Sequence, residues 1–277
     1  MILTNYHTHG SFCDGVQEPE QYILTALKKG FKALGFSSHA PLPFVNHWTM
    51  KADQTEIYLK EINRLKTKYQ NEIEIYLGME IDYFPEKHRN LFRQFYLDYT
   101  LGSVHCIADF ENEKCYSIDG SKEEFDETLS KVFDSDIRKF VSRYYELIKK
   151  MAVEEKPDII GHFDVIKKNN QAGRYYSESE SWYRSLVKDT LEVIAQKQVI
   201  LEVNTGGILR GYTTEFYPSP WILQEALKMD IPIMLNSDAH APENLDGYFI
   251  EARKILREIG YTKQRVLLNQ HWQDIRL

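Results

Sequence analysis

The chain has 277 residues, of which 43% are hydrophobic and 27% charged, and a formal net charge of −7 at pH 7. This composition is typical of a globular protein, and the negative charge argues against general binding to nucleic acid or to an anionic membrane. No apolar run approaches the roughly 20 residues of a membrane span, and we expect no signal peptide. Cysteines at positions 13, 106 and 115 favour a reducing, cytoplasmic location over a disulfide framework.

The first part of the chain predicts strands that alternate with helices. Apolar residues that recur at helical spacing lie between Glu18 and Lys29, and Gly30 is a helix stop. The predicted elements are a strand at 3–7, a helix at 18–29, a strand at 33–38, a loop at 39–43, a helix from its cap Asp53 to about 69, a strand at 73–79, a helix at 86–95 and a strand at 99–104.

The second part of the chain continues the alternation. The predicted elements are a polar loop at 109–122, a helical region at 123–151 with a break near Asp134, a strand at 158–161, a polar loop at 167–177, a helix at 178–197, a strand at 199–204, a glycine-rich loop at 205–210, a helix at 218–228, a strand at 231–236, a helix at 243–259 and a short strand at 266–268. Strands that alternate with helices pair in parallel. We therefore predict an α/β fold, a closed (β/α) barrel of seven units in a single domain across residues 1–277.

Metal-binding side chains follow most of these predicted strands. His7 and His9 stand at i and i+2, so a strand would present both imidazoles on one face. The chain has nine histidines, and six of them lie at predicted strand ends. In (β/α) barrels the functional groups come from the carboxyl ends of the strands. The candidates at these ends, with one residue of the first loop, are His7, His9, Asp14, His39, Glu80, His105, His162, Asp238 and His240.

These candidates predict a site for more than one metal ion. A single histidine at a strand end is more often a hydrogen-bonded polar residue than a ligand, but chance does not explain the whole set. Imidazole and carboxylate suit zinc, iron and manganese, and a catalytic zinc takes about three protein ligands. The set therefore fits two or three divalent ions that share a bridging carboxylate. Glu80, alone on its strand, is the best candidate for the bridge.

The motifs that carry these residues resemble the PHP (polymerase and histidinol phosphatase) superfamily, and most of all its bacterial histidinol-phosphate phosphatase branch. They are HTHGSFCD at 7–14, SHAPLP at 38–43, GME at 78–80, GSVH at 102–105, GHFD at 161–164, EVNT at 202–205 and NSDAH at 236–240. The resemblance runs from His7 to about Gly260. It implies a distorted seven-stranded, TIM-like barrel with a trinuclear metal centre.

The resemblance also implies how the ligands divide among the ions. The sets are His7, His9, Glu80 and Asp238 for the first ion, Glu80, His105 and His162 for the second, and Asp14, His39 and His240 for the third. One position departs from the pattern, since PHP proteins often have a histidine where this chain has Asp14.

Clustered divalent ions suit the hydrolysis of phosphate monoesters. They neutralise phosphoryl oxygens and hold water as hydroxide near neutral pH. We expect a metal-bound hydroxide, held by the ligands of the first two ions, to attack phosphorus. The resemblance implies that the substrate is L-histidinol phosphate and that the products, in a step of histidine biosynthesis, are L-histidinol and phosphate.

Substrate contacts are predicted from charge and position. Arg210 and Lys168 are the candidates for the phosphate, with Arg174 in reserve, and each is equally an ordinary surface charge. Asp119 is a candidate for the substrate's ammonium or imidazole group, or a turn residue before a glycine. Ser103 lies on the face of its strand that carries the next ligand, either as a substrate contact or as a structural residue.

Two further residues and two other functions remain open from the sequence. Asp164 is expected to orient a metal ligand, and Asn204 to line the floor of the pocket. A PHP phosphoesterase for small nucleotides or other esters is an alternative, and so is a metal-binding module without catalysis. We expect a small-molecule phosphate ester as partner, and no nucleic acid or membrane. The sequence leaves the native metals and the oligomeric state open.

Overall fold

The structure, a computed structural model, describes residues 2–85 and 95–277. Almost all of the predicted helix at 86–95 therefore lies outside the described residues. The described strands are β1 (Leu3–Asn5), β2 (Phe31–Phe36), β3 (Glu74–Asp82), β4 (Tyr99–Ser103), β5 (Cys106–Asp109), β6 (Lys114–Ser117), β7 (Ile159–Ile160), β8 (Ile200–Asn204), β9 (Ile233–Asn236), β10 (Lys263–Leu268) and β11 (His271–Arg276).

Seven of these strands form one parallel sheet that curves into a nearly closed barrel. Their order is β1-β2-β3-β4-β7-β8-β9, and all the pairs between neighbours are parallel. The first and last strands meet just beyond their carboxyl ends, where the N–H of His9 donates to Ala239 O at 2.9 Å and the N–H of Ala239 donates to His7 O at 3.0 Å. The predicted seven-stranded (β/α) barrel is confirmed.

Helices cover the outside of the barrel, largely where the sequence predicts them. They are α1 (Pro19–Lys29), α2 (Thr55–Tyr69), α3 (Lys122–Phe133), α4 (Ile137–Glu154), α5 (Ser181–Lys197), α6 (Gly206–Leu209), α7 (Pro220–Lys228) and α8 (Phe249–Ile259). Gly30 ends α1 in the left-handed conformation with φ 76°, and Asp134 breaks the long helical region with φ 51°, as expected. Across the described part of the chain, no helix has the length and apolarity that crossing a bilayer requires.

The amino end of the barrel is filled by apolar and aromatic side chains. Tyr6, Tyr76 and Tyr99 pack there with Val266 and Leu267 of β10, and Tyr6 Oη donates to Leu267 O at 2.5 Å. The predicted last strand therefore exists, but it pairs with β11 in an antiparallel hairpin that closes this end. Polar side chains collect at the opposite, carboxyl end.

Several local predictions were wrong. Asp53 does not cap α2, because it lies within a 3₁₀ turn, Ala52–Gln54, that precedes the helix. The segment predicted as a polar loop at 109–122 overlaps an antiparallel hairpin of β5 and β6. That hairpin brings Cys106 and Cys115 close together, with Cα atoms 5.6 Å apart.

Other boundaries differ by a few residues. The glycine-rich loop at 205–210 contains the short helix α6. The helix predicted at 243–259 begins at Phe249, after a 3₁₀ turn at Pro242–Asn244. β3 continues to Asp82, so Glu80 lies inside its strand rather than after it.

Candidate metal centre

The nine predicted ligands converge at the carboxyl end of the barrel. They form four overlapping groups in which the potential ligand atoms all lie within 4.8 Å of one another. The groups are His9, Asp14, His39 and His240; His7, Glu80 and His162; His7, His9 and Asp238; and His39, Glu80 and His105. The strands deliver these side chains to one place because parallel strands of a barrel end on the same face.

Glu80 lies at the centre of the cluster and is 1% exposed. Its Oε2 lies 3.1 Å from His7 Nε2 and 3.0 Å from His39 Nδ1. Its Oε1 lies 2.9 Å from His162 Nε2 and 3.5 Å from His105 Nε2. Oε2 also lies 3.4 Å from His9 Nε2. The two carboxylate oxygens therefore face different histidines, which is the arrangement of a bridging ligand.

Asp238 completes a second carboxylate position beside the first strand. Its Oδ1 lies 3.3 Å from His9 Nε2 and 3.5 Å from His7 Nε2. Asp238 has a positive φ of 52°, at the point where the chain leaves β9. This backbone turn directs the carboxylate back over the barrel.

The first loop brings Asp14 to the outer side of the cluster. Asp14 Oδ2 lies 3.3 Å from His240 Nε2, and Oδ1 lies 3.8 Å from both His39 Nε2 and His9 Nδ1. A Cβ atom at Gly15 would overlap the main chain of His9, so only glycine lets the loop fold back this closely. Asp14 keeps 32% of its side chain exposed, and the cluster is therefore open to solvent on this side.

The donor set fits divalent cations. Among the described residues, the buried atoms His9 Nε2 and His39 Nδ1 have no hydrogen-bond partner. Both nevertheless lie within 3.4 Å of Glu80 Oε2. A neutral imidazole nitrogen that faces a carboxylate oxygen is satisfied when a cation lies between them, and both are good ligands for zinc, iron or manganese.

The electrostatics of the cluster follow from burial and close opposite charges. Burial disfavours charged His105, but Asp82 and Glu80 outweigh burial and raise the pKa of His105 to about 10. Burial lowers the pKa of His39 to about 3, although Glu80 opposes this shift. Burial alone would raise the pKa of Glu80, but His7, His39 and His105 hold that pKa well below its ordinary value.

Two buried carboxylates that the sequence analysis did not assign support the predicted ligands. Asp82 Oδ1 accepts from the main-chain N–H of His105 at 2.8 Å and lies 3.1 Å from the ring nitrogen Nδ1. Glu202 Oε1 lies 2.7 Å from His7 Nδ1. Asp82 stands two residues after Glu80 on the same strand face, a spacing that could have identified it.

The predicted role of Asp164 was wrong. Its carboxylate lies 3.0 Å from Lys167 Nζ and accepts from the main-chain N–H of Ser219 at 2.9 Å. The carboxylates that contact predicted ligands are instead those of Asp82 and Glu202. Asn204 does lie under the cluster, where it donates to Glu202 Oε2 at 3.0 Å.

The predicted substrate contacts fall at different distances from the cluster. Arg210 Nη2 donates to Asp238 Oδ2 at 2.8 Å and Nη1 lies 2.9 Å from His240 Nδ1. Ser103 Oγ donates to Glu80 Oε1 at 2.6 Å. Both side chains therefore touch predicted metal ligands.

The remaining candidates have other contacts. Lys168 donates to the carbonyl oxygen of Asp119 and lies 4.2 Å from the centre of the Tyr212 ring. The charge of Asp119 also raises the pKa of His105, by less than the charges of Asp82 and Glu80. Arg174 is exposed beside Tyr175, and no contact in the described ranges joins it to the cluster.

An aromatic residue that sequence reasoning missed packs against the cluster. The Trp48 ring lies 4.8 Å from the His39 ring and 5.3 Å from the His105 ring, in edge-on geometry. Asn46 fixes the loop by accepting from the main-chain N–H groups of Trp48 and Thr49 at 3.2 and 2.9 Å. No periodic pattern in this loop indicates such a contact.

Comparison with known proteins agrees with this architecture. The family model of the PHP domain matches residues 5–206. A histidinol-phosphatase of Bacillus subtilis (strain 168) is 33% identical over 264 residues, which cover 89% of this chain and 96% of that protein. A crystal structure from Listeria monocytogenes aligns with a TM-score of 0.77 at 23% identity, over 89% of this chain and 99% of that chain.

A second solved structure is that of histidinol phosphate phosphatase from Lactococcus lactis, complexed with zinc, L-histidinol and phosphate. It aligns with a TM-score of 0.71 at 20% identity, over 98% of both chains. At these identities the two structures show a common fold.

Proposed function

Because the chain belongs to the PHP domain family, we propose that it is a metal-dependent phosphomonoesterase that hydrolyses L-histidinol phosphate to L-histidinol and phosphate, a step of histidine biosynthesis. The supporting observation is the convergence of the nine metal-binding side chains in a chain that is 33% identical to a histidinol-phosphatase over 89% of its length. Zinc in the related Lactococcus lactis structure supports a metal centre of this kind.

The centre would hold two or three divalent ions of zinc, iron or manganese. The proposed ligand sets are His7, His9, Glu80 and Asp238; Glu80, His105 and His162; and Asp14, His39 and His240. Glu80 is the proposed bridge because its two oxygens face different histidines at 2.9–3.5 Å. The third set is the most exposed, through Asp14.

Divalent ions at these ligands would neutralise the phosphoryl oxygens and make hydroxide available near neutral pH. The chain's own contribution is to fix the ligands. Ser103 and the surrounding histidines hold the Glu80 carboxylate in its charged form at the centre. Asp82 orients the ring of His105 toward Glu80.

Positive side chains at the rim would bind the phosphate of an ester in this acidic protein. Arg210 is the first candidate, since its guanidinium lies between Asp238 and His240 and keeps 27% of its surface exposed. Lys168, held by the carbonyl of Asp119, is the second. We propose that the Asp119 carboxylate meets the substrate's ammonium or imidazole group, and Arg174 is retained as a reserve contact.

A substrate panel tests this function. Metal-replete protein is assayed for phosphate release from L-histidinol phosphate, nucleotide monophosphates and sugar phosphates, with metal content measured on the same sample. We expect a strong preference for L-histidinol phosphate that is lost on Glu80→Ala. Turnover of nucleotides alone would show that the substrate is a nucleotide rather than L-histidinol phosphate. A fully metallated protein without turnover would favour a metal-binding module without catalysis.

We also propose that residues 1–277 act as one domain, because the barrel, its closing hairpin and the ligands are drawn from the whole chain. A small-molecule partner, the lack of a nucleic-acid or membrane partner and a cytoplasmic location stay predictions.

A further inference from the structure

Glu202 is a buried carboxylate of β8 that touches two of the proposed ligand sets. Its side chain is 0% exposed. Oε1 lies 2.7 Å from His7 Nδ1 and accepts from Asn236 Nδ2 at 2.9 Å. Oε2 accepts from the main-chain N–H of His162 at 2.8 Å and from Asn204 Nδ2 at 3.0 Å. One carboxylate thus connects β1, β7, β8 and β9.

These contacts fill the acceptor capacity of the carboxylate. An ionised carboxyl group offers about four lone-pair sites, and four donors meet Glu202. A buried charge is tolerated when it is fully hydrogen-bonded in this way. Glu202 therefore has no lone pair left for a cation and acts on the centre through other residues.

The contact with His7 fixes the ring. Since Glu202 Oε1 is an acceptor, the hydrogen of the imidazole lies on Nδ1. Nε2 then faces the cluster, 3.1 Å from Glu80 Oε2 and 3.5 Å from Asp238 Oδ1, and is the ring nitrogen that remains to bind a cation. Second partners of this kind set the tautomer of a metal-binding histidine.

The contact with His162 acts on the backbone. The strand β7 has only two residues, and its ladder ends near Gly161, whose N–H donates to Gly102 O at 2.9 Å. The next N–H, that of His162, is held by Glu202 instead. This contact fixes the backbone position from which the His162 side chain extends. Its Nε2 lies 2.9 Å from Glu80 Oε1 and 3.1 Å from His105 Nε2.

We propose that Glu202 is a positioning residue that couples the first and second metal sites by holding His7 and His162 through one carboxylate. The inference rests on the proposed metal centre. Loss of the carboxylate would weaken both sites together, because a ligand of each depends on it.

The two asparagines make Glu202→Gln a sharp test. Asn236 Oδ1 accepts from the main-chain N–H of Tyr6 at 2.8 Å, and Asn204 Oδ1 accepts from that of Gly206 at 2.8 Å. Neither amide can therefore turn to offer its oxygen. Glu202→Gln keeps the shape of the side chain but replaces one carboxylate oxygen with an NH₂ group. In one orientation of the amide this NH₂ faces His7 and Asn236, and in the other it faces the main-chain N–H of His162 and Asn204.

The experiment titrates metal-free protein with Zn²⁺ in competition with a chromophoric chelator. The matched variant is Asp82→Asn, because Asp82 supports His105 of the second site. We expect Glu202→Gln to weaken two binding steps by about 10–100-fold each, the usual effect of losing an outer partner, and Asp82→Asn to weaken one. Zn²⁺ binding within about twofold of wild type in Glu202→Gln, or a single weakened step, would overturn the proposal.

A second measurement does not depend on the folding of a variant. ¹⁵N NMR of histidine-labelled wild-type protein reports which ring nitrogens of His7 carry hydrogen before and after Zn²⁺ is added. We expect hydrogen on Nδ1 throughout and Zn²⁺ on Nε2, whereas Zn²⁺ on Nδ1 would contradict the coupling. Both measurements use Zn²⁺ alone, so they decide the role of Glu202 even if the protein acts on another phosphate ester.

Discussion

Ser103 donates a hydrogen bond of 2.6 Å to Glu80 Oε1 from the neighbouring strand of the barrel. The register of the sheet sets this contact, since Ser103 pairs with Asp82, two residues beyond Glu80 on β3. The same carboxylate oxygen faces His162 and His105. The hydroxyl therefore fixes the rotation of the proposed bridging ligand.

Removal of this hydroxyl should loosen the centre. We predict that Ser103→Ala lowers kcat/KM for L-histidinol phosphate by about 10–100-fold, because an outer partner of a ligand is lost. Steady-state phosphate release measures the effect. Ser130→Ala, on the exposed face of α3, is the control and should leave kcat/KM unchanged. Equal activity of both variants would show that the Ser103 hydroxyl does not support the metal centre.

Metal affinity should rise with pH. The pKa of His105 is raised to about 10 in the metal-free protein, so its ring carries a proton at neutral pH. A metal ion must displace that proton, and apparent affinity therefore increases as pH rises toward 10. Zn²⁺ titrations at about pH 6, 7 and 8, the range in which an ordinary histidine changes its charge, measure this dependence.

Proton release gives an independent reading of the same effect. Zn²⁺ added to weakly buffered metal-free protein should release protons at pH 7, and Asp82→Asn should release fewer, since Asp82 contributes to the raised pKa of His105. Affinity that is flat with pH, together with no proton release, would contradict a protonated His105.

Arg210 and Lys168 should differ in their effects. The Arg210 guanidinium lies among the ligands Asp238 and His240, whereas Lys168 is tied to the carbonyl of Asp119. We predict that Arg210→Lys costs about 1.5–3 kcal/mol of transition-state binding, on the order of tenfold to a hundredfold in kcat/KM, as for a lost charged hydrogen bond. Inhibition by inorganic phosphate should weaken in parallel.

Lys168→Ala is the comparison for Arg210→Lys. We expect it to raise KM with a smaller change in kcat, since Lys168 contacts Asp119 and Tyr212 rather than a proposed metal ligand. A larger loss for Lys168→Ala than for Arg210→Lys would reverse the proposed order of the two phosphate contacts.

The packing under the site can be tested separately. A Cβ atom at Gly78 would overlap the ring of Tyr99, and Tyr99 cannot move freely because its hydroxyl donates to Tyr6 O at 2.6 Å. We predict that Gly78→Ala lowers the free energy of unfolding by about 1–3 kcal/mol, the usual cost of overpacking. Urea unfolding measures it, with Lys60→Ala on the exposed face of α2 as a control expected within about 0.5 kcal/mol of wild type.

The sequence identifies the barrel and its ligand candidates because both follow from short-range patterns. Helical periodicity and the alternation of strands and helices need no knowledge of distant contacts. A histidine after a predicted strand, as with His39 or His105, is visible in the same way. These side chains meet at one end of the barrel because parallel strands all end on the same face.

The supporting residues could not be found in this way. Glu202 meets His7 across 195 positions of sequence, and within its apolar strand nothing indicates the partner. The β5–β6 hairpin is also hidden, because each of its strands has only four residues and β6 is partly exposed throughout. Asp164 has the right spacing from His162 for an orienting role, but its carboxylate forms an ion pair with Lys167.

The need for metal can be tested by phosphate release from L-histidinol phosphate, measured on one preparation in three states: metal-free, Zn²⁺-reconstituted and Mn²⁺-reconstituted. Metal content is determined on each sample, and Glu80→Gln is treated in parallel. We predict no turnover without metal, recovery with two or three bound ions and little recovery in Glu80→Gln. Full turnover by metal-free protein, or by Glu80→Gln with wild-type metal content, would contradict this prediction.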